Sequence, residues 1–316
     1  MLSKTKKNKC LSAKPKRGSS LTSIRNDLSL YIMFLPFLLH LLIFNYKPML
    51  GIIIAFKDFD VYKGIMGSEW VGLEHFKTFV SGAYFMRTLK NTFVLGIYNL
   101  IFSFPAPIIL AILLNEVRFK KLKSFIQTAT FLPHFVSMVV ICGITVNLLA
   151  PSGIINNIIS IFGGERIYFM TKPEWFRTIY IGTGIWASCG YSAIIYLAAL
   201  SGIDPCLYEA CVIDGGNKLK QILHVTIPGI LPTIVVKLVL SIGSMFAVGY
   251  EKIILLYQPV TYETADVIST YMYRIGLSEG KYDFATAVGL FNSVVSLTFV
   301  SVTNIVSKRL TETALW

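Results

Sequence analysis

Ser201-Gly-Ile-Asp204-Pro205-Cys-Leu-Tyr-Glu209-Ala210-Cys211-Val-Ile-Asp214-Gly215-Gly216, running on to Val225-Thr-Ile227-Pro228, is a polar island between two apolar runs, approximately 178–200 and 229–250. Asp204 is a good N-cap, and Pro205 suits the first helical position. Gly215 is a good left-handed stop. The stretch between them reads as a helix of about ten residues, too short to be stable alone in water, so it needs a docking partner. A second helical stretch over 217–225 returns the chain to Pro228, where the next apolar run begins. The unit is a short exposed helix held between two long apolar segments.

Those segments set the fold class. A bilayer core needs about 20 mostly apolar residues per helix. Six stretches qualify, approximately 28–46, 91–114, 125–150, 178–200, 229–250 and 284–306. With 54% hydrophobic and 15% charged residues, the chain is not an ordinary soluble domain. The runs contain Pro36, Pro105, Pro107, Pro133 and Pro232, which membrane helices tolerate when neighbours satisfy the freed backbone groups. Gly182, Gly184, Ala187 and Gly190 in the fourth run let another helix pack closely. The basic N-terminus before an apolar run resembles a signal peptide. That run is longer than an h-region, however, and no small-x-small cleavage site follows, so it reads as an uncleaved first span.

Charge orients the spans. The formal net charge is +12. With the N-terminus inside, the segments 1–27, 115–124, 201–228 and 307–316 carry a net +10, and the outside segments carry +1. The remaining charge is Lys237, within the fifth span. This asymmetry fits an N-in, C-in topology. Residues 1–27 read as a basic cytoplasmic tail beside anionic lipid rather than a nucleic-acid binder, 28–306 as the transmembrane domain with its cytoplasmic loop 201–228, and 307–316 as a C-terminal cytoplasmic tail.

What the spans lack narrows the function. None of the six contains Asp or Glu, which counts against proton relays and intramembrane hydrolysis. It does not exclude a sodium site built from backbone carbonyls. No G-x-x-x-x-G-K-[ST] phosphate loop is present, so any ATP that drives the protein binds another chain. The five cysteines show no CxxC spacing and the four histidines no HExxH, so neither a metal site nor a disulfide framework is expected.

The central loop resembles the pattern E-A-A-x(3)-G-x(9)-I-x-L-P of inner-membrane permeases of binding-protein-dependent ABC importers. Glu209, Ala210, Gly215 and Pro228 occupy identical positions. Cys211 stands for the second Ala, Val225 for Ile and Ile227 for Leu. The resemblance runs from Tyr31 to Trp316 and looks closest to carbohydrate permeases for plant and algal polysaccharide fragments, including pectin-derived and uronate oligosaccharides. Pro48-Met-Leu-Gly-Ile-Ile-Ile-Ala-Phe-Lys-Asp58, Phe104-Pro-Ala-Pro-Ile-Ile-Leu-Ala-Ile-Leu-Leu-Asn-Glu-Val117, Leu132-Pro-His-Phe-Val-Ser137, Tyr196-Leu-Ala-Ala-Leu-Ser-Gly-Ile-Asp-Pro205 and Thr261-Tyr-Glu-Thr-Ala-Asp-Val-Ile-Ser-Thr270 carry it.

The resemblance implies an all-α, six-span, type I importer permease that makes and breaks no bonds. It implies a homologous second permease subunit, two ATP-binding subunits that hold the ATP and magnesium, and an extracellular solute-binding protein. The short helix would be the coupling helix. Glu209 would meet a basic group on the ATPase, Ala210 and Cys211 would allow close docking, and Asp214-Gly215 would turn the chain. Ile227 and Pro228 would complete the motif.

For the substrate, Lys237, Ser241 and Ser244 fall at i, i+4 and i+7, on one helical face. An unpaired Lys near mid-bilayer costs about 2.5–3.5 kcal/mol on insertion scales. Lys237 either faces the pathway and attracts a carboxylate or sugar hydroxyl, or snorkels or pairs with a neighbouring subunit. Trp186, Ser188 and Tyr191 in the fourth span, and Asn292 with Ser296 in the sixth, are pathway candidates whose other reading is ordinary packing. The outside segments 47–90, 151–177 and 251–283 carry Trp70, Tyr168, Trp175, Tyr257, Tyr262, Tyr271 and Tyr273. They fit a binding-protein docking surface or interfacial helices. The expectation is half of an oligosaccharide-import pathway. The alternatives are an ion-coupled secondary transporter or an ABC permease for a non-carbohydrate solute.

Overall fold

The computed structural model describes residues 28–246 and 248–311. The proposed tail 1–27 and the end of the C-terminal tail, 312–316, lie outside the described residues. Six helical segments are long and apolar enough to cross a membrane: Leu28–Phe56, Phe85–Glu116, Met138–Ile161, Pro173–Ser201, Lys218–Gly243 and Tyr282–Ile305. The all-α, six-span class read from the sequence is therefore the observed one.

The chain divides into two units, residues 1–52 and 53–316. In the first, the helix Leu28–Leu41 carries Pro36 within it and has no buried residue. It is apolar on all sides, as a lipid-facing span should be.

Prolines explain the irregular turns. In three spans a π-helical turn ends just before a proline: Leu42–Tyr46 before Pro48, Asn99–Ser103 before Pro105, and Ile222–Thr226 before Pro228. The residue preceding or flanking each proline donates across the wide turn: Lys47 to Leu42 O, Phe104 to Asn99 O, and Ile227 to Ile222 O. Proline has no N–H to give to the i−4 carbonyl, and the widened turn lets the helix continue past it. The chain therefore passes through Pro228 without a break. Helix runs from Lys218, through that turn, into Ile227–Gly243. The fifth span has a cytoplasmic extension rather than a fresh start at Pro228.

Two expected spans have bounds other than those read. The run 125–150 is interrupted. A helix over Lys120–Phe131 ends in a 3-10 turn, Leu132–Phe135, around Pro133, and Ser137 caps a new helix by accepting from Val140 N at 3.4 Å. Pro133 removes the donor that would have continued the first helix, and the serine offers the next one a start. The fifth span ends at Gly243, with Ser244 as its C-cap. A separate helix, Tyr250–Leu256, follows outside it. At the other end of the chain the last helix extends to Thr311, past the expected tail boundary.

Packing within 53–316 follows the small residues. At Gly190 a Cβ would collide with the Thr130 carbonyl oxygen, so the fourth span touches the backbone of Lys120–Phe131 there. Gly182 has open space around it, so the close approach expected there does not occur. Ala111, Ala193, Tyr196, Leu200 and Ile230 form a buried cluster joining the second, fourth and fifth spans. The outside segments fold onto the spans. Phe79, Ile268, Tyr271, Ile275 and Val288 make one outer cluster.

A polar clasp fastens the segment 259–278. Asp266 is fully buried, accepts from Arg87 at 3.1 Å, from Arg274 at 2.9 Å and from the Thr270 hydroxyl at 2.9 Å. Asn91 donates to the Glu263 and Asp266 carbonyls and accepts from Arg177. A buried carboxylate is tolerable only with this degree of pairing. Lys57–Asp58 and Glu69–Trp70 form a two-stranded antiparallel ribbon with Lys57 opposite Trp70.

Candidate functional site

The cytoplasmic loop has the geometry its residues dictate. Asp204 is extended at φ −63, ψ 122 and accepts from Cys206 N at 2.9 Å, and Pro205 opens the helix Pro205–Ile213. Gly215 adopts φ 76. Its N–H donates to Val212 O at 3.0 Å, and Gly216 N–H donates to Cys211 O at 2.8 Å. That pair of bonds is a Schellman stop, which calls for glycine in the left-handed position.

No residue of the helix Pro205–Ile213 is buried. Glu209, Ala210, Asp214, Gly215 and Pro228 are exposed, whereas Cys211 and Ile227 are half-buried. Leu207, Val212 and Ile213 present apolar side chains to solvent, Ile213 at 85% exposure. A short helix exposing aliphatics on the cytoplasmic side is a surface awaiting a partner. Among the described residues, one side-chain hydrogen bond ties it to a span: the hydroxyls of Tyr208 and Thr226 lie 3.1 Å apart. Thr226 is buried at the foot of the fifth span. Lys218 and Glu116 pair at 3.2 Å and join the same foot to the end of the second span.

Within the membrane region, a cavity of about 190 Å³ opens between the second, fourth and fifth spans. Lys237, Ser241 and Ser244, which share a face of the fifth span, line it together. Ser188 lines it from the fourth. The second span adds Asn99 and Ser103, and Ser192 and Tyr196 extend the fourth-span wall. Lys237 is half-buried and has no hydrogen bond or ion pair to another described residue. The Ser103 hydroxyl is buried without a partner. Such a cavity offers one cation and several hydroxyls to a polar guest. At its outer end Met245 packs on Gly96, where a Cβ would strike the Met245 side chain.

Three candidates stand apart from this cavity. Tyr191 stacks on His134, centroids 3.8 Å apart and planes at 5°. Trp186 lines a second, apolar cleft of about 500 Å³ with Trp175, Phe169 and Gly182. Asn292 donates to the Phe246 carbonyl at 3.5 Å. Ser188 and Tyr191 diverge because three residues leave a 60° offset on a helix. Ser192 and Tyr196 turn the opposite way from Tyr191, along the i, i+4, i+8 ridge that starts at Ser188, and that spacing is the signal in the sequence that points to them.

A six-span helical chain with an exposed cytoplasmic helix and a polar intramembrane cavity is a membrane transport component. The chain belongs to the binding-protein-dependent transport system inner membrane component family, which matches residues 79–312. It is 44% identical over 304 residues to the polygalacturonan/rhamnogalacturonan transport system permease protein YteP of Bacillus subtilis (strain 168), covering 96% of this chain and 95% of that one. It is 41% identical over 299 residues to Protein LplB of the same organism, covering 94% of each. Among solved structures, a chain of the bacterial alginate ABC transporter in complex with an alginate pentasaccharide-bound periplasmic protein superposes with a TM-score of 0.87 at 46% identity, covering 94% of this chain and all of that one. A second, a bacterial ABC transporter involved in import of the acidic polysaccharide alginate, gives 0.85 at 47% identity over 92% of this chain and 99% of that one. The fold is thus that of an ABC importer permease, an inner-membrane subunit and not an enzyme.

Proposed function

We propose that this chain is one half of the translocation pathway of an ATP-driven, binding-protein-dependent importer for oligosaccharides that carry uronate carboxylates. The observation that carries the substrate class is Lys237: an intramembrane cation with no acid beside it, in a cavity whose polar lining is otherwise hydroxyls and one amide. Intramembrane charge without a partner is functional by default. A carboxylate would complete the lysine, and serine hydroxyls suit sugar hydroxyls. Two similar proteins bear names or descriptions involving acidic polysaccharides, polygalacturonan/rhamnogalacturonan and alginate, and this agrees with the reading.

The second permease subunit completes the pathway, one of two ATPase subunits docks on Pro205–Ile213 and the other on the second permease, the pair holds the ATP and magnesium, and a binding protein delivers the sugar from outside. Glu209 meets a basic group on the ATPase. Closure of the ATPase pair then displaces the coupling helix and, through Tyr208 and Thr226, the fifth span that carries Lys237. Binding shifts a pre-existing equilibrium between cavity orientations by differential affinity.

The test is Lys237→Met in the reconstituted complex. Uptake of an acidic oligosaccharide should fall more than uptake of a neutral one of equal length; equal effects remove charge recognition from the account. For the coupling half, Glu209→Lys should leave the chain folded in the membrane while uncoupling uptake from the ATPase. Normal uptake by that variant would sink the assignment.

A further inference from the structure

Lys252 lies on the helix Tyr250–Leu256, outside the six spans. Its ammonium sits 3.6 Å from the ring centroid of Tyr180. It also rests against Gly184, where a Cβ would stand 2.7 Å from Nζ. Tyr180 and the neighbouring Ile253 belong to a buried apolar cluster that includes Cys142. Among the described residues no carboxylate is within ion-pair distance of this lysine, and the adjacent Glu251 is exposed. Burial pushes its pKa down to about 8. A tyrosine face offsets only part of the desolvation of an ammonium, so an unpaired lysine here is costly to keep.

Its position against the fourth span gives it a purpose. Tyr180, Gly184, Ser188, Ser192 and Tyr196 recur every four residues and form one stripe inclined to the helix axis, turning about 40° per step. Ser188, Ser192 and Tyr196 line the cavity. Gly184 is one turn further out, and its carbonyl accepts the Ser188 hydroxyl at 2.8 Å. The ammonium of Lys252 therefore stands about 6 Å along the helix from the cavity wall. Met245, at the cavity's outer end, precedes it by seven residues. Lys237 addresses the stripe from within the cavity, and Lys252 addresses it from the outer side.

We propose that Lys252 is a second specificity-determining residue of this importer, a cation on the outer approach to the cavity that binds a carboxylate of the incoming acidic oligosaccharide. The proposal rests on the acidic-oligosaccharide reading given above. Tyr180 holds the ammonium while no substrate is present. A carboxylate displaces the ring because a charged acceptor pairs more strongly with an ammonium than an aromatic face does.

The experiment uses the full complex in proteoliposomes with its binding protein and compares uptake of a trigalacturonate with a neutral trisaccharide. Lys252→Met keeps the apolar stem over Tyr180 and removes the charge. It should lower the acidic-to-neutral ratio by about tenfold, chiefly through KM, the loss of one charge-assisted hydrogen bond. Lys252→Arg should retain most of the ratio. An unchanged ratio in Lys252→Met, or an equal loss for both sugars, overturns the inference. If the Met variant does not assemble, Lys252→Gln is read by the same criteria. A wild-type complex without acidic preference overturns the substrate reading and this inference together. A wild-type preference that survives loss of Lys252 overturns the inference alone.

Discussion

Tyr208→Phe should weaken coupling without dismantling the transporter. The helix Pro205–Ile213 buries none of its residues, and the Tyr208 hydroxyl makes its one side-chain hydrogen bond to a span among the described residues, 3.1 Å from Thr226. Thr226 is 1% exposed. It sits eleven positions before Lys237, close to three full turns, so the two residues share a face of the fifth span. In the proposed mechanism a push on the helix reaches the cavity through this contact. Phenylalanine keeps the ring packing and removes only the hydroxyl. Thr226 is not orphaned, because its hydroxyl also donates to Gln221 O at 3.4 Å. The loss should therefore be that of an ordinary neutral hydrogen bond, about 0.5–1.5 kcal/mol, or roughly two- to twelvefold in the equilibrium it biases. The assay is ATP hydrolysis and sugar uptake by the reconstituted complex, with and without loaded binding protein. Basal hydrolysis should persist, while sugar moved per ATP falls by that factor. Thr226→Val should do the same, and the double variant should be no worse than the more affected single. Wild-type stoichiometry in Tyr208→Phe would refute the mechanical role, as would additive losses in the double variant.

Other outcomes follow from the same geometry. Asp266→Asn leaves Arg87 and Arg274 without their shared carboxylate; it should destabilise the outer segment by about 3–5 kcal/mol, seen as faster proteolysis within 259–278 in membranes. Gly190→Val forces a side chain onto the Thr130 carbonyl and should cost about 1–3 kcal/mol, read as a lower midpoint of detergent-solubilised unfolding. Gly215→Ala puts a Cβ at φ 76 and should cost about 1–2 kcal/mol locally. It should loosen ATPase co-purification while membrane insertion stays normal.

Much of this architecture is legible in the chain. Long apolar runs and the sidedness of Lys and Arg give six spans and their orientation, because the bilayer imposes length and satisfaction of backbone bonds. The loop motif is legible down to its hydrogen bonds, since Asp204, Pro205 and Gly215 each act locally. Breaks inside apolar runs are harder to read. Pro133 ends a helix because Ser137 is ready to begin another, whereas Pro228 is absorbed by a wide turn. The i, i+4, i+7 spacing on the fifth span places Lys237, Ser241 and Ser244 on one face, but the cavity they line is not legible from it. Its facing walls, Asn99 and Ser103, come from a span more than a hundred residues away, and nothing local marks them. The Asp266 clasp escaped for the same reason: its partner Arg87 is 179 positions distant. Lys252 sits just past the end of an apolar run, where a lysine looks like a solvated flank until Tyr180 and Gly184 are seen around it.

The most direct test of the account is uptake by proteoliposomes that contain this chain, its partner permease and the ATPase subunits, with ATP inside and loaded binding protein outside. Uptake of a uronate oligosaccharide should require ATP and be lost with Glu209→Lys. Uptake driven by an ion gradient without ATP, or indifferent to that substitution, would contradict it.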